Sequence, residues 1–211
     1  MSSLLLLLLF IMIVNISCQD DFIAPWFYHG LDGPKFTNKT IDGIETRYYG
    51  PAYWASTQIS GNDITSATST GFNRLFDYIS GSNSKNVKID MTTPVLTKVE
   101  PGSGPNCNST FTVSFFVPYF YQLYGPPAPT NADVFLEAIG PLNVAVSEVP
   151  GFAEQKEIIA KAAELEEEVS DSDDLALDQS VQEGTWYSAS YDPPFILTDR
   201  HNEVFASVVN K

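Results

Sequence analysis

The chain has 211 residues and a formal charge of -15, from 26 acidic against 11 basic side chains. A polymer this acidic repels nucleic-acid phosphates, which argues against nucleic acid as a partner and disfavours anionic membrane surfaces for the same reason. Its length suits one domain around a single core.

Residues 1–18 carry no charged side chain, and Leu4–Val14 is an unbroken apolar run of eleven. That run is too short to span a bilayer as a helix but has the length of a signal-peptide h-region. Residues 1–18 are therefore read as a leader and the protein as secreted and extracellular. No later stretch is apolar enough for a membrane span. Cleavage after Cys18 leaves Cys107 alone, whereas cleavage after Ser17 leaves a Cys18–Cys107 disulfide open. Sequons at Asn38-Lys39-Thr40 and Asn108-Ser109-Thr110 make Asn38 and Asn108 candidate glycosylation sites in an exported chain.

Residues 19–39 are mixed and aromatic, and read as an irregular arm packed on the domain that fills residues 40–211. From Gly43 the pattern alternates, with Ile44, Thr46 and Tyr48 facing one way and Glu45, Arg47 and Tyr49 the other. Gly50-Pro51 breaks this strand, and Tyr53–Ile59 resumes it. Ile64, Ala67, Thr68, Gly71, Phe72, Leu75, Phe76 and Ile79 then fall on one stripe of an amphipathic helix. Asn62 or Asp63 caps its start and Gly81 closes it. Gly71 inside that helix costs about 1 kcal/mol relative to Ala, which points to a close approach by a neighbouring element.

Strands are expected at Val87–Met91, Val95–Val99 and Phe111–Val117, with an ordered Pro- and Tyr-rich loop over residues 118–131. Further strands follow at Val134–Leu136 and Leu142–Val146. A second helix starts near Phe152 and places Ile158, Ile159, Ala162, Leu165 and Val169 on one face. Residues 148–183 hold twelve acids against two lysines, read as a solvated helix face with a mobile loop. Trp186–Tyr191 and Glu203–Val209 close the chain as strands. The order strand–helix–strand–strand thus occurs twice, an α+β pattern in which two halves share one curved sheet.

Chemistry is sparse. The two histidines, His29 in the arm and His201 in Asp199-Arg200-His201-Asn202, read as surface-turn residues with no nucleophile beside them. HExxH, CxxC and phosphate-cradling glycine loops are lacking, so neither a catalytic set nor a metal site is assigned. Aromatic residues make 13% of the chain, and some could line a pocket for a flat apolar ligand.

Specific strings carry a family resemblance. They are Gly43 to Trp54 (GIETRYYGPAYW), Thr70 to Leu75 with Tyr78-Ile79, Lys88 to Val95 (KIDMTTPV), Tyr191-Asp192-Pro193-Pro194, and Arg200 to Val204. Together they resemble the SOUL / heme-binding-protein family, its heme-binding-protein-2 branch in particular, over about residues 40–210. The resemblance implies a distorted β-barrel of two strand-helix-strand-strand halves flanked by two long helices. Pro94 would then sit in the third strand as an edge or bulge. It implies heme or another tetrapyrrole held non-covalently in an apolar groove beside the first helix, without an enzymatic step. Phe72, Arg74 and Phe76 are the matching cofactor-binding candidates, and Tyr48 stands where some members offer a histidine to the iron, which makes it the candidate heme-iron ligand. A ligand-free protein-interaction module is the alternative function, and an enzyme acting on a bound pigment the third. Protein partners are not legible.

Overall fold

Each half of the chain folds as the same unit, and the two units exchange a strand. The computed structural model describes residues 22–103, 108–193 and 200–211. The proposed leader and both cysteines lie outside the described residues. The first half holds β1 (Phe36–Ile41), β2 (Ile44–Tyr49), β3 (Ala52–Gly61), helix α1 (Ile64–Ile79), β4 (Val95–Glu100) and β5 (Ser109–Phe116). A short helix α2 (Tyr119–Tyr124) leads to β6 (Val134–Ile139), β7 (Leu142–Pro150), helix α3 (Gln155–Asp171), β8 (Leu175–Leu177), the turn-long α4 (Gln179–Gln182), β9 (Trp186–Ser190) and β10 (His201–Asn210).

All pairings between named strands are antiparallel, in the order β1-β2-β7-β10-β9-β4-β5-β3-β6, with β8 added beside β10. Exchanging β2, β3, β4 and β5 for β6, β7, β9 and β10 maps the central eight strands onto themselves, so a pseudo-two-fold axis runs between β4 and β9. Strand β2 therefore pairs within the second half and β6 within the first. The chain makes these crossings at Gly50-Pro51 and Gly140-Pro141. The two crossings touch: a Cβ on Gly140 would come within 3.2 Å of the Gly50 carbonyl oxygen, and Gly140 has φ +102°. Among the described residues the result is one curled antiparallel half-barrel with four α-helices, and β1 and β6 each have one strand neighbour.

Helices α1 and α3 cover one face. Asp63 caps α1, its carboxylate accepting from Ser66 N at 2.6 Å. Glu154 and Glu157 form a capping box on α3. Ala162, Leu165 and Val169 of α3 pack with Ala145, Val149, Val204, Ala206 and Val208, and Ile64 and Ala67 of α1 join the same cluster. Farther along α1, Leu75, Tyr78 and Ile79 pack with Ala55, Val113 and Phe115. Gly71 is where α1 meets β5: a Cβ there would lie 2.5 Å from Val113 Cγ2, the close approach expected from the sequence.

The opposite face is covered by the N-terminal arm, so it is called the arm face. Phe22, Phe27, Tyr28 and Phe36 close over Tyr49, Trp54, Val144, Val146, Tyr191 and Phe205.

Several expectations need correction. Val87–Met91 is not a strand. Ile89 N donates to Ile79 O and Asn83 Nδ2 donates to Val87 O, so the segment is tied to the end of α1 rather than to a partner strand. The arm ends at Phe36, where the polar edge strand β1 begins. Pro94 lies just before β4, which is a central strand. Ile159 is about half exposed and off the buried stripe of α3. His201 is no surface-turn residue: it is 5% exposed on β10.

Candidate functional site

Helix α1 presents an aromatic flank toward β4. Thr68 fixes the direction, since its Oγ1 lies 3.2 Å from Thr97 Oγ1 of β4. Phe72 and Phe76 follow at i+4 and i+8 on the same side. Their rings are nearly parallel, with centroids 5.7 Å apart and 13° between planes. Phe115 of β5 supports Phe72 edge-on at 5.4 Å. Met91, Val95 and Tyr121 pack around the same cluster. Phe76 is 48% exposed, so the stacked pair offers a flat apolar platform at the surface.

Arg74 is turned away from that platform. Two positions round a helix is about 200°, so it cannot share the flank of Phe72 and Phe76. Its guanidinium instead donates to Thr57 Oγ1 at 3.1 Å and Gln58 O at 3.3 Å, and lies 3.3 Å from Asp133 Oδ2. Tyr48 stands farther off. It is half exposed on β2, and β7, β10, β9 and β4 separate that strand from β5 under α1. Five strand spacings amount to about 24 Å along the sheet. Of the four residues the sequence singles out, the structure brings together Phe72 and Phe76. The flank therefore fits the apolar face of a flat macrocycle, while Arg74 and Tyr48 do not converge on it.

Asn38 is exposed in the middle of edge strand β1, and Asn108 is exposed just before β5.

A second constellation lies on the arm face, and sequence reasoning missed it. Glu203 of β10 accepts from Arg47 Nη2 at 2.8 Å and Nη1 at 2.9 Å, from Tyr191 OH at 2.5 Å, and lies 2.7 Å from His201 Nε2. Burial alone pushes the Glu203 carboxyl up. Hydrogen bonds from His201, Arg47 and Tyr191, with the Arg47 charge, outweigh it and hold the group below its ordinary range. Burial pushes the Tyr49 phenol beside this network up to about 12. Beside the network, Pro34, Tyr49, Trp54, Leu96, Leu142 and Phe205 line a small apolar recess. The strings around Arg47 and His201 were visible, but nothing in either names the other as its partner.

Among the described residues no group of three His, Cys, Asp or Glu side chains is placed to hold a metal ion. None of their helices is long and apolar enough to cross a membrane.

A family model described as SOUL heme-binding protein matches residues 31–207. Human heme-binding protein 2 is 38% identical over 180 residues, covering 83% of each chain. Heme-binding protein 1 of Xenopus laevis is 29% identical, covering 82% of this chain and 89% of that one. Among solved structures, the EcmrR C-terminal domain superposes with a TM-score of 0.60 at 9% identity, over 83% of this chain and 99% of that one. That last likeness is one of fold alone.

Proposed function

The chain belongs to the SOUL heme-binding protein family, and on that premise we propose that it is a secreted, non-catalytic protein that holds heme or a related tetrapyrrole non-covalently. The observation that carries this is the stacked Phe72–Phe76 pair, with Phe76 about half open to solvent and Phe72 backed by Phe115. Heme, when bound, supplies a redox-active iron and a strong visible absorption. The chain supplies an apolar face: Phe72 and Phe76 stack against the macrocycle and exclude water from one side, with Val95 and Met91 beside them. Arg74 holds α1 to β3 rather than pairing with a propionate, so apolar contact carries the affinity.

The absence of catalysis is supported by the commitments of the histidines. His29 is paired with Asp192 and His201 with Glu203. Secretion is supported by the apolar run Leu4–Val14 and by the exposure of both sequon asparagines.

Titrating hemin into the glycosylated protein tests the reading. A Soret band at micromolar hemin, weakened in Phe72→Ala with Phe76→Ala, is the expected result, and no spectral change sinks it. A protein-interaction module is the second reading, favoured by one observation. Phe120, Leu123 and Tyr124 of α2 are 63%, 81% and 74% exposed on a turn that Gln122 ties to Tyr53 and Val117. If hemin leaves the spectrum unchanged, this reading takes its place.

A further inference from the structure

A chain with a net charge of -15 repels anionic ligands, so the placement of its uncommitted cations decides where such a ligand is tolerated. Most of the 11 basic side chains are engaged within the fold. Arg47, Arg74, Lys98, Lys156 and Lys161 pair with carboxylates. Lys211 and Arg200 donate to backbone carbonyls, and Lys35 lies over the Tyr119 ring. Lys39 is exposed on edge strand β1, at the far side of the sheet from α1.

Lys85 and Lys88 are exposed, and among the described residues neither has an ion pair or a side-chain hydrogen bond. Both lie on the segment that leaves α1 and runs to β4. Asn83, fully buried, fixes that segment. Its Nδ2 donates to Tyr78 O and Val87 O, and its Oδ1 accepts from Lys85 N and Val87 N. The backbone that carries the two lysines is therefore held in place while their side chains stay solvated.

The segment passes the end of the aromatic flank. Ile89 N donates to Ile79 O, less than one turn beyond Phe76 on α1. Ile89 is buried, and Met91 half-buried, in the cluster against which Phe72 packs. With Ile89 inward, its neighbours Lys88 and Asp90 are exposed. Asp77 is exposed beside Phe76 as well, and Asp77 and Asp90 with Lys85 and Lys88 bring residues 77–91 to zero charge. The platform thus borders a neutral stretch of a strongly acidic protein, with two cations free to turn toward a ligand.

We infer that Lys85 and Lys88 receive the carboxylate arms of a tetrapyrrole whose ring lies on Phe72 and Phe76. The inference deepens the tetrapyrrole reading and rests on it. It names the ligand class: a flat macrocycle with ionised carboxylates along one edge, in preference to an uncharged ring. Apolar contact carries the affinity. The lysines orient the ring, its carboxylate edge toward the C-terminal end of α1. An exposed pair of this kind is worth roughly two- to threefold in affinity, so the two together give about fivefold.

Fluorescence titration of the full, glycosylated protein with protoporphyrin IX and with its dimethyl ester tests this. The two probes share a ring and differ in charge, so the ratio of their affinities isolates the carboxylates. In Lys85→Gln with Lys88→Gln that ratio is expected to fall about fivefold, through weaker binding of the acid, while the ester stays within about twofold of wild type. The ester also serves as the control for folding, since damage to the platform weakens both probes alike. A ratio unchanged in the double variant overturns the inference, whether both affinities hold or both drop together. Binding of the ester but not the acid to the wild type also overturns it and leaves the Phe72–Phe76 platform standing. If neither probe binds, the tetrapyrrole reading falls and takes the lysine assignment with it.

Discussion

Arg47 and Glu203 pair two-pronged at 2.8 and 2.9 Å although strand β7 lies between the strands that carry them. Their side chains are 5% and 1% exposed. The pair is satisfied on every side. Arg47 Nε donates to Glu45 at 2.7 Å, its guanidinium lies over Phe36 at 4.6 Å, and Tyr191 and His201 take up the Glu203 carboxylate. It ties the crossing strand β2 to the second half of the sheet, where arm and barrel meet.

Removing one partner should cost far more than removing both. Arg47→Met leaves a buried carboxylate facing Tyr191 and His201 and should destabilise the fold by about 3–5 kcal/mol. Arg47→Met combined with Glu203→Leu leaves no buried charge in the pair, and should recover most of that loss. Urea unfolding of the wild type, both single variants and the double variant reads the difference. A double variant as unstable as the sum of its singles would show that the two residues act separately.

Glu203 also sets an acid limit. Its carboxyl is held below the ordinary value of 4.5, so the folded state binds that proton more weakly than the unfolded chain. Its stabilising contribution is fully present above the unfolded value and is lost as pH falls through the folded one. Between about pH 5 and about pH 3 the wild type should lose stability more steeply than Glu203→Gln, which lacks the titrating group. Urea midpoints across that range provide the check, and parallel curves would remove Glu203 from the account.

Gly71 tests a contact that was legible from sequence. On helix propensity alone, Gly71→Ala should stabilise α1 by about 1 kcal/mol. The new methyl would lie 2.5 Å from Val113 Cγ2 and 2.6 Å from its Cβ, so β5 or α1 must shift. The expected outcome is a net loss of about 1–3 kcal/mol. Val113→Ala in the same chain removes the Cγ2 contact but keeps the one to Cβ, so it should recover only part of that loss, as read by thermal or urea unfolding.

What the sequence revealed follows from which signals are local. The α1 stripe and its Asp63 cap lie within one helix, so periodicity and a capping residue suffice. Phe36–Lys39, most of β1, reads as arm because an edge strand exposed on both faces has no alternation to display. Val87–Met91 alternates like a strand, yet its backbone groups are taken by Ile79 and Asn83. His201 was misplaced because Asp-Arg-His-Asn has turn composition, while its burial comes from Phe27, about 170 residues earlier. Arg47 and Glu203 are 156 residues apart, and no local pattern joins them. The second constellation therefore emerges only from the pairing order of the sheet.

The same pairing order separates two ways of holding a tetrapyrrole. Iron ligation by Tyr48 requires the phenol at the macrocycle, but Tyr48 and the Phe72–Phe76 flank lie at distant parts of the sheet. Tyr48→Phe should therefore leave the hemin Soret band in place and the affinity within about twofold, since only an exposed hydroxyl is lost. Phe76→Ala should weaken binding by roughly three- to tenfold, the scale of one aromatic stacking contact. Because Phe76 is half exposed, that change should shift the unfolding midpoint little, which separates lost binding from lost fold. Hemin titrations of the two variants beside the wild type distinguish the cases. A band lost in Tyr48→Phe and kept in Phe76→Ala would move the site from α1 to β2.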